Sequence, residues 1–327
     1  MQAPGHRAVG LTIALASAAM FATSGAFARP LLDAGWSPAG AVLVRLGLGS
    51  LLLAIPGLRA LRGRWGIVRE KWRPILAYGV FSGAAVQVAY FNAITYIEVG
   101  IALMLEYLGV VLVVLYVWAR TRRRPGSMTL IGMLVAVGGL AVILNPTSVA
   151  GADPRGIAWG LFAATGMAVY FVVSAQTDGI PPLTFVSLGL GVGALALLLA
   201  GMVGLVPLTF STADVRLFGG LVPWWVPLIE LAVIAAALAY ASGFVAARRL
   251  GPTVASFVGL TEVVFAVLWA WLLLGELPGP VQLLGGTILL LGVVAVQAGV
   301  RRDAVRDLVA APAAARDAAP DAPTPGR

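Results

Sequence analysis

Long apolar runs, interrupted by short joints that are polar, basic or rich in proline and glycine, fill the chain from residue 9 to residue 299. Ten of these runs predict helices over 9–28, 37–56, 74–96, 98–118, 128–146, 156–176, 181–204, 224–247, 252–274 and 279–299. Each is about 20 residues long, enough to cross a ~30 Å hydrocarbon core at ~1.5 Å of rise per residue. The joints fall at Arg29-Pro30, Pro56-Gly57, Pro125-Gly126, Asn145-Pro146, Pro181-Pro182 and Pro278-Gly279, where proline removes a backbone donor or glycine frees the turn. The first run follows Arg7 as a secretory leader would. It is longer than the apolar core of a leader and many more spans follow, so it is read as a retained first helix. Beyond Arg302 the stretch AVRDLVAAPAAARDAAPDAPTPGR has little bulk with which to build a core, and residues 303–327 are expected to form a disordered tail.

Composition agrees with the pattern. Of 327 residues, 60% are hydrophobic and 11% charged, against about 25% charged in soluble domains. The expected fold class is an all-α integral membrane protein. There is no cysteine, and the single histidine, His6, lies in the polar N-terminal stretch. Disulfides, thiolate metal sites and His-based catalysis have nothing to work with, so no metal and no cofactor are expected. No GxxxxGK[ST] sequence is present, which leaves ATP coupling unsupported.

The net charge of +8 would suit a nucleic-acid binder if it were gathered on one soluble face. Instead the basic residues sit in short joints, as orientation signals do. With the N-terminus inside, one side of the membrane holds Arg7, RALRGRWGIVREKWR, ARTRRRP, Arg248, Arg249 and the tail arginines, and the other only Arg29, Arg155 and Arg216. Cytoplasmic loops carry the basic excess, so both termini are expected in the cytoplasm and the chain in the cell's inner membrane. The expected partners are a small-molecule substrate and membrane lipids, with no nucleic acid.

An internal repeat sharpens the picture. Sliding Phe91–Gly132 by 153 positions (244 minus 91) onto Phe244–Gly285 aligns Phe91 with Phe244, Ala102 with Ala255, Trp118 with Trp271, Pro125-Gly126 with Pro278-Gly279 and Gly132 with Gly285, without a gap. Loop charge reverses between the copies: ARTRRRP falls on LLLGELP, and TYIE on RRLG. Five spans per copy is an odd number, so the second copy enters the membrane from the other side. The predicted architecture is two inverted five-helix repeats, residues 9–146 and 156–299, an arrangement many secondary transporters share.

The stretches AMFATSGAFARPLL, LVRLGLGSLLL, ALMLEYLGVVLVVLYVW and LTEVVFAVLWAWLLLGELPGPVQLLGGTILLLGV together resemble the EamA-like branch of the drug/metabolite transporter superfamily, over nearly all of the chain before the tail. The resemblance implies ten helices in two inverted halves, a central pocket bounded mainly by spans 1 to 4 and 6 to 9, peripheral spans 5 and 10, and export of a small molecule. One departure stands out. Where such proteins place proline after the Gly109 and Glu262 positions, this chain has Val110 and Val263, so spans 4 and 9 are expected to be straighter.

Ionisable groups deep in a bilayer cost roughly +2.5 to +3.5 kcal/mol on insertion scales and usually face a cavity or a partner. Arg45, Glu106 and Glu262 are the deepest, about eight to ten residues from their span starts, hence ~12 to 15 Å in. Glu106 reads either as a cavity acid binding a proton or a cation, or as a fixed partner of Arg45. Glu262 has no basic residue at its depth in its own half, which favours titration over a structural bond. Arg45 reads as structural, and Glu230 as interfacial. Gln87 and Tyr90 share a helix face; with Tyr170 and Tyr240 they would line a pocket through hydrogen bonds and cation-π contacts, or simply bridge helices. Gly132 and Gly139, with their repeat counterparts Gly285 and Gly292, form small-residue stripes suited to packing span 5 on span 10 or to a homodimer contact. Gly189, Gly191 and Gly193 follow no strand and are not a dinucleotide fingerprint; they read as compliance for gating. The function expected is alternating-access transport of small neutral or cationic metabolites or drugs, with proton coupling through Glu262, Glu106 or both as the preferred driving mechanism and simple facilitated diffusion left open. The alternatives are an intramembrane enzyme using Glu106 and Glu262 as an acid/base pair on a lipid-linked substrate, or a non-transporting sensor or partner subunit.

Overall fold

The computed structural model describes residues 4–97, 99–122, 124–144, 153–274 and 279–317. The chain is mostly helical: α1 Pro4–Phe21, α2 Ser24–Asp33, α3 Pro38–Leu61, α4 Trp65–Glu70, α5 Trp72–Ala77, α6 Val86–Tyr96, α7 Val99–Tyr107, α8 Gly109–Thr121, α9 Ser127–Leu144, α10 Pro154–Gln176, α11 Pro182–Met202, α12 Trp225–Ala232, α13 Ala239–Leu250, α14 Pro252–Gly259, α15 Thr261–Leu274 and α16 Pro280–Asp317. Several starts follow local rules. Ser37 accepts from the Gly40 N–H and Asp153 from the Arg155 N–H, and Pro38 and Pro154 open the helices they cap.

Eight helices among the described residues are long and apolar enough to cross a membrane, and α9 is a shorter apolar helix. Large apolar side chains on the bundle's outside stay uncovered, as with Leu51 and Ile55 on α3 and Leu134 on α9. That is the surface a lipid phase accepts, while every helical backbone bond is closed within the chain.

The spans are not smooth rods. α1 gives way to α2 at Ala22-Thr23, α7 to α8 at Leu108, and α14 to α15 at Leu260. At Leu108 and Leu260 the ladder tightens to three-residue bonds: Leu108 N–H donates to Leu105, Val111 to Leu108, Leu260 to Phe257 and Val263 to Leu260. Both ladders are thus interrupted although proline is absent. Tertiary crowding at glycine accompanies the breaks. A Cβ on Gly109 would lie 2.5 Å from the Ala164 carbonyl oxygen, and one on Gly259 2.9 Å from the Phe171 ring, so the neighbouring helix α10 presses in where only glycine has room.

Two π-helical segments, Tyr78–Ala85 and Val233–Leu238, join α5 to α6 and α12 to α13. Shifted by 153, Tyr78–Ala85 falls on 231–238, and Leu108 falls on 261, beside Leu260. The irregularities thus recur at matching points of the two repeats. Gly189 and Gly193 of α11 lie against the first π segment, where a Cβ would come within 2.6 Å of the Tyr78 ring or of the Gly79 carbonyl. Close packing, rather than compliance, accounts for these two glycines.

Helices α9 and α16 pack backbone to backbone. A Cβ on Gly132 would sit 2.6 Å from the Val296 amide; one on Gly139 would meet Leu289, and one on Gly292 would meet Ala136. Gly285 is buried in the same seam, with its carbonyl turned towards Gly139. These faces are used within the chain and are not open to a second copy.

Two further features depart from the expectations above. The joint between α11 and α12 contains an antiparallel hairpin, β1 Val215–Leu217 with β2 Gly220–Val222, so the fold is not purely helical. Phe218 and Gly219 both have positive φ, which matches the right-handed twist of a two-residue hairpin turn. Helix α16 also runs on to Asp317, through much of the tail expected to be disordered. Its alanines are good helix formers. Asp303 accepts hydrogen bonds from the Gly126 N–H at 2.9 Å and the Thr129 hydroxyl at 3.3 Å, capping the start of α9. Residues 318–327 of the expected tail lie outside the described residues.

Candidate functional site

A cavity of about 570 Å³ occupies the middle of the bundle. α1 and α2, α3, the first π segment with α6, α7, α10, the β-hairpin, α13, α14 and α15 all contribute side chains to it. Arg45, Gln87, Tyr90, Glu106, Tyr170, Tyr240 and Glu262, the seven polar residues singled out from the sequence, all line it. Arg45 and Glu262 are 217 positions apart (262 minus 45) and do not meet by spacing; the bundle brings them together.

 Glu106 and Glu262, the two acids that line the cavity, come from different repeats.

Arg45 is fully buried. Its Nη1 donates to the Ser24 hydroxyl at 2.8 Å and to Gln87 Oε1 at 2.6 Å, its Nη2 donates to the Ala235 carbonyl at 2.6 Å, and its Nε has no partner. Among the described residues it makes no ion pair with Glu106 or Glu262, so the expected lock between spans 2 and 4 is corrected. The guanidinium instead ties α2, α3 and α6 to the second π segment, whose irregular ladder leaves a carbonyl to receive it. This is a structural use of the fork that a lysine cannot reproduce.

Each acid sits two residues from a helix break. Glu106 lies in the last turn of α7, before Leu108, and Glu262 lies in the first turn of α15, after Leu260. The Tyr107 side chain is buried beside Glu262. Tyr240 donates to the Ser82 carbonyl at 3.2 Å, in the first π segment, while the Tyr170 hydroxyl is buried without a partner against Gly243. Tyr170 thus brings an uncommitted hydroxyl donor to the lining that holds both carboxylates.

Tyr170 and Tyr240 of the lining belong to a larger aromatic cluster. Tyr78, Tyr170 and Tyr240 contact one another, Phe185 stacks on Phe244 at 4.7 Å, and Arg248 lies over the Phe244 ring at 5.8 Å. Elsewhere the lining passes to Arg29, Arg216 and Phe218 of the hairpin, and Phe218 meets Phe27 edge-on at 5.5 Å. The sequence reading passed over Ser24, Tyr78 and Phe218, and misplaced Glu230. Glu230 is not interfacial as expected: it bonds Thr23 at the α1–α2 break and one of its oxygens is buried without a partner. Only its depth along α12 was legible, and depth alone does not reveal a hydroxyl on a distant helix.

Two stretches, residues 8–145 and 154–297, match the model of the EamA-like transporter family. The chain belongs to that family. It is a multi-pass membrane transporter of the drug/metabolite superfamily, and its cavity lies between the two matched repeats. Among solved structures, 28 chains match. One, described as "Crystal structure of protein", superposes with a TM-score of 0.71 over 89% of this chain and 97% of its own, at 16% identity; at that identity the likeness is one of fold alone. No curated protein matches.

Proposed function

We propose that this EamA-like protein exports small neutral or cationic molecules by alternating access, with proton exchange at Glu262 and Glu106 as the driving step. In this reading α7 with α8, and α9, complete ten spans in two inverted five-helix repeats. Both termini face the cytoplasm of a cell whose inner membrane holds the protein, and the two halves rock about the cavity between them. The observation that supports it best is the pair of carboxylates lining one central cavity, each beside a break in its helix. A break lets the two halves of a span move separately, and an acid beside it exchanges its proton when the cavity changes sides. Arg45 is already engaged by three neutral acceptors, which leaves the acids to face the substrate.

Proteoliposomes loaded with a panel of amines, amino acids and cationic dyes test this. A pH gradient is expected to drive accumulation in the wild type, and Glu262→Gln is expected to remove the gradient dependence while counterflow persists. Accumulation by Glu262→Gln and Glu106→Gln equal to wild type would sink the coupling role of both acids. Absence of any counterflow across the panel would sink the substrate class.

A further inference from the structure

The contact between Thr23 and Glu230 contains more acceptors than donors. The Thr23 hydroxyl lies 2.7 Å from the Met20 carbonyl and 2.5 Å from Glu230 Oε1. A hydroxyl carries one hydrogen. If that hydrogen goes to Met20, the only proton that completes the second bond is one held by Glu230 itself. The other carboxyl oxygen, Oε2, is buried and has no partner. For an ionised carboxylate this would leave charge density buried and unbonded, a costly arrangement; for a neutral acid it leaves only a carbonyl oxygen.

We propose that Glu230 is a proton-binding site, and that its proton latches the break between α1 and α2 onto α12. Protonated, Glu230 donates to Thr23, which donates onward to Met20, and the chain of bonds is complete. Deprotonated, the carboxylate has one hydroxyl donor, which must abandon Met20 to serve it. Helices α3 and α2 and the second π segment pack on α12. From α3, Arg45 faces the site; from α2, Arg29 and Asp33 pair with each other at 2.9 Å; the π segment, VIAAAL, brings no titratable group. Proton loss therefore pulls the carboxylate from Thr23 towards Arg45, whose Nε is unpartnered, and frees the break in span 1. The sign follows: the latch holds at low pH and is released as pH rises through the titration of Glu230. This goes beyond the transport reading and does not depend on it.

The test uses the full chain in lipid nanodiscs and two readouts that need no substrate. Infrared spectroscopy at neutral pH is expected to show a carboxylic-acid C=O band that disappears in Glu230→Gln. Spectra unchanged by that substitution would mean the proton is not on Glu230 and would overturn the proposal. Because the chain has no cysteine, Ala22→Cys reports the break alone through labelling by a water-soluble maleimide. The thiol's own ionisation raises the rate about tenfold per pH unit in either background below its pKa, so the readout is the rate on the wild-type background divided by that on Glu230→Gln, whose amide still donates to Thr23; this ratio is expected to rise with pH through the titration of Glu230 and then level off. A ratio independent of pH overturns the latch. If Glu230→Gln does not fold, Thr23→Val serves: loss of the hydroxyl should move the C=O band to higher frequency and make labelling fast at every pH, and no change in either overturns the proposal.

Discussion

The two broken spans invite comparison. Span 4 breaks at Leu108 and span 9 at Leu260, at nearly equivalent points of the repeat, yet their acids lie on opposite sides of the break. Shifted by 153, Glu106 falls on Gly259 and Glu262 on Gly109. Each repeat thus carries a carboxylate where the other carries a glycine pressed against α10. The acids also sit in opposite backbone fields. The first turn of a helix presents N–H groups and favours negative charge, and the last turn presents carbonyls and opposes it. Glu262 has the first environment and Glu106 the second. Pseudo-symmetry has therefore built two different acid sites rather than one site twice.

The largest expected effect separates those acids. In gradient-driven uptake, Glu262→Gln should cost tenfold or more, about 1.4 kcal/mol, and Glu106→Gln clearly less; equal losses would erase the distinction drawn from the helix ends. Next come the glycines opposite them. Gly109→Ala places a methyl against a main-chain oxygen that cannot turn aside, at an expected cost of about 1–3 kcal/mol, whereas at Gly259 the obstacle is the Phe171 ring, which can rotate. Thermal unfolding in detergent should rank Gly109→Ala below Gly259→Ala, and the reverse order would show that α10 is the more yielding neighbour. Arg45→Lys sharpens the contrast between the halves, because it retains the charge and loses the fork that reaches Ala235. We expect a lower melting temperature and faster labelling of a cysteine introduced at the cavity-lining Ala22, with a loss of about 1–3 kcal/mol; unchanged values would demote the tie between halves. The smallest effect concerns the missing prolines. Val110 lies in the first turn of α8, where proline is tolerated, so Val110→Pro should be near neutral. Val263→Pro deletes the bond to Leu260 and should cost about 1 kcal/mol, measurable as a lower melting temperature.

Much of this was readable beforehand, and for a definite reason. A helix in lipid must close its own backbone bonds and present apolar side chains, so each span is written locally as an apolar run of fixed minimum length. The same rule makes a deep charge conspicuous, which is why Arg45, Glu106 and Glu262 stood out and why all of them line the cavity. Their partners were not readable. Pairing Arg45 with Glu106 followed from depth alone, but the guanidinium's bonds go to Ser24, Gln87 and a carbonyl in the other half. The break at Leu108 was hidden too, because its local marker, proline, is absent and its neighbour Ala164 is far away in sequence.

By itself the sequence determined that this chain is a multi-pass membrane protein built from repeated apolar helices, since hydropathy, loop charge and the 153-residue offset are properties of the string. Tertiary structure alone decided where those helices break, which acceptors reach Arg45, and that Glu230 meets Thr23 across 207 positions. Such contacts arise when distant helices pack within hydrogen-bond reach, and no local pattern along the chain encodes that distance.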